Sequence, residues 1–382
     1  MYETSGAAGP SSGAHYFLTG GTGVVGSAFM KLAAARGERI TLLLRAQTPA
    51  AAQERLERLL AACGWASAAA GRIDAVAGDL QRPRLGLCET AYARIAANCT
   101  HLVHCAGNVR MNLPLAVARN ETLAMTRGML ALLDDASERA SLTFVSTVGV
   151  AGHMPGEVPE GWIHHHNGHR NTYEAAKAEA EQLVRGRIAA GRAVTVIRPS
   201  MVVGDSRTGA APSFQVFYHL CEFLSGARTM GWIPRVGDMR LDIVPCDYVA
   251  SVLDWSLQHP RSPAPILHAC AGPQGALALT TLIRRARCLF AAHGRPLPAV
   301  KPVPLPLYRW LLRLSRPLIP PAQRRALDAL PFFFAYLKER QWFSNTRTLA
   351  LLAADGIAPP VVDDYLEKIL AYYLAVRRSR RA

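Results

Sequence analysis

The chain has 382 residues, half of them hydrophobic, and a formal net charge of +15. That apolar content excludes a globally disordered chain, and the length suffices for one large domain or two lobes around a substantial core. No run of about 18 uninterrupted apolar residues occurs, and the eight cysteines form no C-x-x-C pair, so neither a spanning helix, a disulfide framework nor a zinc site is expected; reduced thiols fit a cytoplasmic chain.

Residues 1–14, "MYETSGAAGPSSGA", lack the basic and apolar regions of a signal peptide and read as a flexible tail. The next stretch, "HYFLTGGTGVVGSAFMKLAAARGERITLLLR" over 15–45, runs strand, glycine turn, helix, strand. That is the order of a mononucleotide-binding β-α-β unit. Gly20 permits the tight turn, Gly23 lets the backbone approach a pyrophosphate, and Gly26 lets the helix pack close to the strand. The free N–H groups at the helix start then face the phosphates. The second strand ends at Arg45, where a site for NADH usually offers an acid to the ribose 2′-hydroxyl. An arginine there pairs instead with a 2′-phosphate, which favours NADPH; an exposed arginine at a strand end is the plain alternative.

Four further apolar runs fit parallel strands: 72–80, 100–107, 141–147 and 194–200. Helices are expected at about 117–134 and 173–189. The alternation predicts a doubly wound α/β sheet, with ligands held beyond the carboxyl ends of the strands. Asp79, Ala106-Gly107, Ser146-Thr147 and Pro199-Ser200 fall at those ends.

Between the last two runs, "HHHNGH" (164–169) tempts a metal reading, with a solvated loop as the alternative. The loop reading is preferred, and no metal is expected. Just beyond it comes Tyr173-x-x-x-Lys177. With 11 tyrosines and five lysines in the chain, random placement gives roughly 0.14 such pairs. Residues four apart share a helix face. Thr147 ends the strand before them, so a hydroxyl, a phenol and an ammonium are expected to converge. Hydride arriving at a carbonyl carbon leaves charge on its oxygen, which a phenol of lowered pKa can protonate while a hydroxyl hydrogen-bonds it. Lys177 is expected to lower that pKa and to hold the ribose.

The order TGGTGVVG, GDL, HCAG, FVST, YEAAK and RPS resembles an extended short-chain dehydrogenase/reductase over about residues 15–205. The resemblance implies that Gly20, Gly23 and Gly26 with Thr22, Val24 and Val25 form the cofactor loop. It implies that Asp79 and Leu80 contact the adenine, and that Ala106 is a backbone position on the nicotinamide side. Thr147, Tyr173 and Lys177 match the catalytic set, Lys177 also serving the cofactor. Pro199 and the residues after it, Val202 among them, match the contact to the nicotinamide amide. Two stretches, "IRPSMVVGDSRTG" (197–209) and "DIVPCDYVA" (242–250), resemble the fatty acyl-CoA reductase and thioester reductase branch. "FFFAYLKERQWFSNTRTLALLAADGI" (332–357) is similar to the tail of fatty acyl-CoA reductases. Ser344 stands where that tail commonly has Asp, and Val24 where a larger apolar residue often stands.

The expected layout is therefore an NADP-binding domain over 15–205 and a smaller, mostly helical substrate lobe over 206–382, with 242–272 returning to the nucleotide-binding core. The apolar segment "FQVFYHLCEFL" (214–224) either lines a tunnel for an acyl chain or packs the lobe's core. The basic charge belongs to the C-terminal third: residues 261–382 carry a net +13 and residues 1–260 a net +2. No zinc-finger, helix-turn-helix or RNP pattern accompanies it, which argues against nucleic acid. Within 303–337, arginines interleave with Leu, Trp and Phe. Three uses fit such a segment: peripheral contact with an anionic membrane, a clamp for coenzyme A or phosphopantetheine phosphates, and ordinary amphipathic packing. The activity expected is NADPH-dependent reduction of a long-chain acyl thioester, on coenzyme A or an acyl-carrier protein, to aldehyde, with a second round to alcohol left open by the sequence. An extended-family alcohol dehydrogenase or epimerase, acting on a sterol-like, polyketide or nucleotide-sugar substrate, is the competing reading. A dinucleotide-binding sensor without catalysis is the third.

Overall fold

A computed structural model describes residues 14–62, 72–164, 167–227, 229–294, 297–315, 317 and 340–379. The tail over 1–13, His165 and His166, and all of 318–339 lie outside the described residues.

Seven parallel strands form the central sheet: β1 (His15–Thr19), β2 (Arg39–Arg45), β3 (Ile73–Gly78), β4 (His101–His104), β5 (Ser141–Val145), β7 (Ala193–Pro199) and β12 (Ile266–Ala269). Their order across the sheet is β12-β7-β5-β4-β1-β2-β3. The intervening short strands are β6 (Gly156–Val158), β8 (Met201–Val203), β9 (Trp232–Pro234), β10 (Arg240–Leu241) and β11 (Ile243–Pro245). A parallel sheet needs both faces covered, which is why its strands read as continuous apolar runs rather than as alternations. On one face lie α1 (Val24–Ala35), α2 (Pro49–Ala62) and α7 (Cys246–Gln258), with Phe29, Leu56 and Leu253 in the shared core. On the other lie α3 (Glu89–Asn98), α4 (Leu115–Asp135) and α5 (Thr172–Ala189), with Ile95, Met129 and Val184. The predicted strands and both predicted helices thus fall where expected, their ends displaced by at most three residues.

A second core belongs to the C-terminal lobe. It gathers α6 (Val216–Leu224), β13 (Leu277–Ala278), which follows the turn α8 (Gly272–Gly275), α9 (Leu279–Ala292), β14 (Lys301–Val303), α10 (Leu305–Ser315) and the last helix. That helix, α12 (Val362–Ser379), follows β15 (Gln341–Phe343) and α11 (Thr346–Leu352). Phe217, Tyr218, Leu220, Cys221, Phe223 and Leu224 of α6 are buried in the second core. Phe214 packs edge-on to Tyr218 and Tyr373, at 4.9 and 4.8 Å. Most of the apolar 214–224 segment is therefore core, and Phe214, Gln215, Val216 and His219 keep partial exposure.

Buried charge ties the C-terminal segment to the sheet. Arg198 on β7 has a fully buried side chain and donates to both carboxylate oxygens of Glu181 on α5, at 3.0 and 2.6 Å. It also donates to the carbonyl of Gly161 at 2.8 Å and reaches His268 Nε2 at 3.4 Å. A guanidinium only donates, so Nε2 of His268 accepts and its Nδ1 carries the hydrogen given to the carbonyl of Ser344 at 2.7 Å. Burial first, and Arg198 second, push the His268 pKa down to about 3, which keeps that tautomer neutral.

Candidate active site

The strand order reverses direction between β1 and β4, which opens a crevice at their carboxyl ends. The glycine loop between β1 and α1 sits there. Gly20 has φ +77, and a Cβ on it would fall 2.5 Å from the backbone nitrogen of Ala106. A Cβ on Gly26 would fall 2.3 Å from the carbonyl oxygen of Gly20. Only glycine fits either place. Gly23 caps α1 without a side-chain hydrogen bond, so the first N–H groups of the helix remain for an anion. Thr22 and Gly23 are exposed, Val25 is partly exposed and Val24 is buried. This backbone cradle fits a dinucleotide pyrophosphate.

At the ribose end, the exposed Arg45 lies 4.0 Å from Asp79, pairing the residue expected at a 2′-phosphate with the one expected at the adenine. Arg55 of α2 donates to the carbonyl oxygen of Arg45 at 2.6 Å, placing a second guanidinium beside the first. Arg55 is not in the expected set; its one signal in the sequence is a basic residue on the helix after Arg45. Leu80 is buried among Val76, Leu85 and Leu87, so its side chain serves the core and only its backbone is left for an adenine. Pro199 closes β7, and Val202 pairs with Val244 in the short β8–β11 ladder.

The residues of the expected catalytic set stand on two elements, the turn after β5 and the start of α5. Thr147 caps a single 3-10 turn, Val148–Ala151, its hydroxyl oxygen accepting from Gly149 N at 3.1 Å. That bond uses a lone pair and leaves the hydroxyl hydrogen to donate elsewhere. Tyr173 stands in the first turn of α5, where Asn171 caps the helix by accepting from Glu174 N at 2.9 Å. Glu174 in turn accepts from Arg170 N at 3.0 Å, an exchange close to a capping box and legible in "RNTYE". A Cβ on Gly149 would fall 2.9 Å from the Glu174 side chain. The turn after Thr147 and the helix start carrying Tyr173 are therefore in contact. Lys177, one turn along, is buried. Its Nζ donates to the carbonyl of Val145 at 2.8 Å and lies 4.8 Å from the centre of the Phe144 ring.

Burial pulls the Lys177 pKa down to about 8, with Cys105 and Glu181 opposing the shift. Burial, and then the neighbouring Glu174, raise the Tyr173 phenol. This departs from the expectation of a phenol depressed by Lys177. The physical reason is that the half-buried phenol loses solvent beside the Glu174 carboxylate, while one Lys177 N–H is turned to the carbonyl of Val145. Of the histidines at 164–169, His165 and His166 lie outside the described residues. Among the described residues no three His, Cys, Asp or Glu side chains gather to hold a metal.

Comparison with known proteins places this site in context. The family model described as male sterility protein matches residues 18–253. The isonitrile lipopeptide synthase of Streptomyces coeruleorubidus is 36% identical over 198 residues, half of this chain. The match takes up only 13% of that synthase. Among solved structures, the terminal R domain from the myxalamid PKS-NRPS biosynthetic pathway superposes with a TM-score of 0.80 at 27% identity, covering 96% of this chain and 92% of that one. A thiolation-reductase di-domain from an archaeal non-ribosomal peptide synthetase superposes with a TM-score of 0.74 at 15% identity, covering 96% of this chain and 76% of that one. The last shares the fold.

Proposed function

This chain belongs to the male sterility protein family of extended short-chain dehydrogenases/reductases, and from that premise we propose that it is an NADPH-dependent reductase of acyl thioesters. The substrate is a long acyl chain carried on the phosphopantetheine of a carrier protein or on coenzyme A, released as aldehyde. The observation that supports the reading most is the contact at Gly149, which brings a threonine with a free hydroxyl hydrogen against the helix start bearing Tyr173 and Lys177.

Gly20, Gly23 and Gly26 cradle the pyrophosphate, and Arg45 with Arg55 hold the 2′-phosphate. Asp79, the Leu80 backbone, Ala106, Pro199 and Val202 line the remaining contacts. When bound, NADPH supplies a hydride to the thioester carbonyl carbon. Thr147 donates its hydroxyl hydrogen to the carbonyl oxygen, where charge develops. Tyr173, a phenol kept protonated by its raised pKa, donates to the same oxygen. Lys177 as an ammonium holds the ribose and adds positive charge beneath the site. Collapse of the resulting hemithioacetal expels the thiol and leaves the aldehyde.

Relatives from peptide synthesis support a carrier-bound substrate, the myxalamid R domain and the thiolation-reductase di-domain above all. The basic C-terminal third suits an acidic carrier or the phosphates of coenzyme A. On α10, Leu307, Trp310 and Leu314 are exposed beside Arg309 and Arg313. Peripheral contact with anionic lipid through 303–337 is a competing use of that helix; sedimentation with anionic vesicles separates the two. No helix among the described residues is long and apolar enough to cross a membrane.

The test follows NADPH oxidation and free thiol together, over acyl-CoA thioesters of increasing chain length and over the same chains on a carrier protein. The expected result is thiol release matched to NADPH consumption, and the ratio counts the hydrides delivered. NADPH binding with no thiol release would overturn the thioester reading and leave the ketone or alcohol substrates of the wider family.

A further inference from the structure

We propose that Gln341 is a positioning residue for Thr147 and Tyr173, acting from the C-terminal segment by bridging the two loops that carry them. The inference rests on the reductase reading above.

The first loop follows Thr147 and its 3-10 turn. Gly152, with φ +54, ends that turn, and a Cβ there would fall 2.1 Å from the carbonyl oxygen of Gly168. His153 N donates to Gly168 O at 3.1 Å, and Asn167 Nδ2 donates to His153 O at 3.2 Å. The second loop, through Gly168 and Arg170, delivers the chain to Asn171 and Tyr173. The two loops therefore lie against each other, but their outer parts, 153–157 and 167–169, are half-buried or exposed backbone with a few hydrogen bonds, the kind of structure that opens locally.

Gln341 closes it. Its Nε2 donates to Gly152 O at 3.2 Å and to Met154 O at 2.7 Å, and its Oε1 accepts from Arg170 Nη2 at 2.9 Å. One amide thus uses donors on the Thr147 loop and its acceptor on the Tyr173 loop, and no side chain lacking both functions can do this. Arg170 has a fully buried side chain and lies 3.8 Å from the Glu174 carboxylate. The bridge continues from Arg170 to Glu174, across to Gly149, and so back to the Thr147 hydroxyl. The segment bearing Gln341 is itself anchored. Gly156 N donates to Arg340 O at 2.7 Å, β15 pairs with β6, and Ser344 N donates to Val158 O at 3.0 Å. The Glu160 carboxylate accepts from Arg347 N and Thr348 N at 2.7 and 2.8 Å. A rigid edge strand therefore presents the amide, which suits a group that holds others in register.

The test compares the whole protein with Gln341→Met, which keeps the length of the side chain and removes its polar atoms. Because a displacement of about 1 Å can cost about a hundredfold in turnover, kcat should fall by about ten- to a hundredfold, counted per NADPH-binding site. The Kd for NADPH should stay within about twofold, since the glycine loop and Arg45 lie elsewhere. Hydrogen exchange of the amides at 149–156 and 168–174 should accelerate, while that of α1 should not. A kcat within about twofold of the unmodified protein overturns the proposal, as does unchanged exchange at both loops. If the unmodified protein reduces neither thioester nor aldehyde, the reductase reading fails, and exchange alone then decides whether Gln341 bridges the loops. Should Gln341→Met not fold, Gln341→Glu is measured in its place. It keeps the acceptor for Arg170, loses both donors, and is expected to show the same split between kcat and Kd.

Discussion

Lys177 donates from Nζ to the carbonyl oxygen of Val145 at 2.8 Å, two residues before Thr147 on the strand that delivers the threonine to the site. The bond holds a buried ammonium at the end of β5 in a place that a longer, forked guanidinium would not occupy. It also accounts for the scarcity of lysine mattering here: one of only five in the chain stands at this position.

The position of that ammonium sets a pH dependence. Burial lowers the Lys177 pKa to about 8, so the group is protonated below that pH and neutral above it. Tyr173, raised by burial and by Glu174, stays protonated across the same range. If the charged lysine is required, kcat/KM for the reductase should be level below pH 8 and fall by about tenfold per pH unit above it. A rise in kcat/KM through that range, measured in buffers of constant ionic strength, would refute a role for the ammonium.

Tyr173→Phe removes the proton donor and leaves the ring packing in place. Turnover should drop by about a hundred- to ten-thousandfold, the usual worth of a positioned general acid. Binding of NADPH, followed by protein fluorescence, should change little. Full activity in this variant would point to a reaction that does not run through the phenol, and a non-catalytic sensor would show no change at all.

Arg45 and Arg55 are the residues proposed to hold the 2′-phosphate. Charge-assisted hydrogen bonds contribute about 1.5–3 kcal/mol each, so the double variant Arg45→Ala/Arg55→Ala should raise KM for NADPH by at least about tenfold. KM for NADH should move by less than about threefold. Equal loss for both cofactors would place the 2′-phosphate elsewhere.

The Arg198–Glu181 pair is a stability device beneath the site. Removing one partner of a buried pair strands the other, at a cost of about 3–5 kcal/mol. Arg198→Met should therefore lower the thermal unfolding midpoint strongly. Arg198→Met with Glu181→Leu should recover most of the loss. A double variant no more stable than the single one would show that Gly161 and His268, rather than Glu181, account for the arginine's contribution.

Much of the nucleotide-binding half was legible because its signals are local. The glycine spacing, the apolar runs and the i, i+4 pair each lie within one or two elements, and backbone sterics impose them wherever that fold occurs. The spacing could not reveal the direction of the Tyr173 shift. That depends on how much solvent the folded chain removes and on Glu174, one residue away but turned toward Gly149 and Arg170. Leu80 shows the same boundary. Its place in "GDL" is local, while the side chain's entry into the core is decided by α3 and α4 packing over it.

The sequence by itself determined the parallel sheet, the glycine cradle and the helix that carries Tyr173 and Lys177 one turn apart, since hydrophobic period, glycine conformation and residue spacing act over short stretches of chain. Only the tertiary structure decided that Arg55 joins Arg45, that the apolar α6 fills a core, and that Gln341 reaches the loops around Thr147 and Tyr173 across 187 residues. Those contacts come from non-local packing, in which a single amide finds its partners because the sheet and the anchored C-terminal strand bring them there. No pattern in the neighbouring residues records such an encounter.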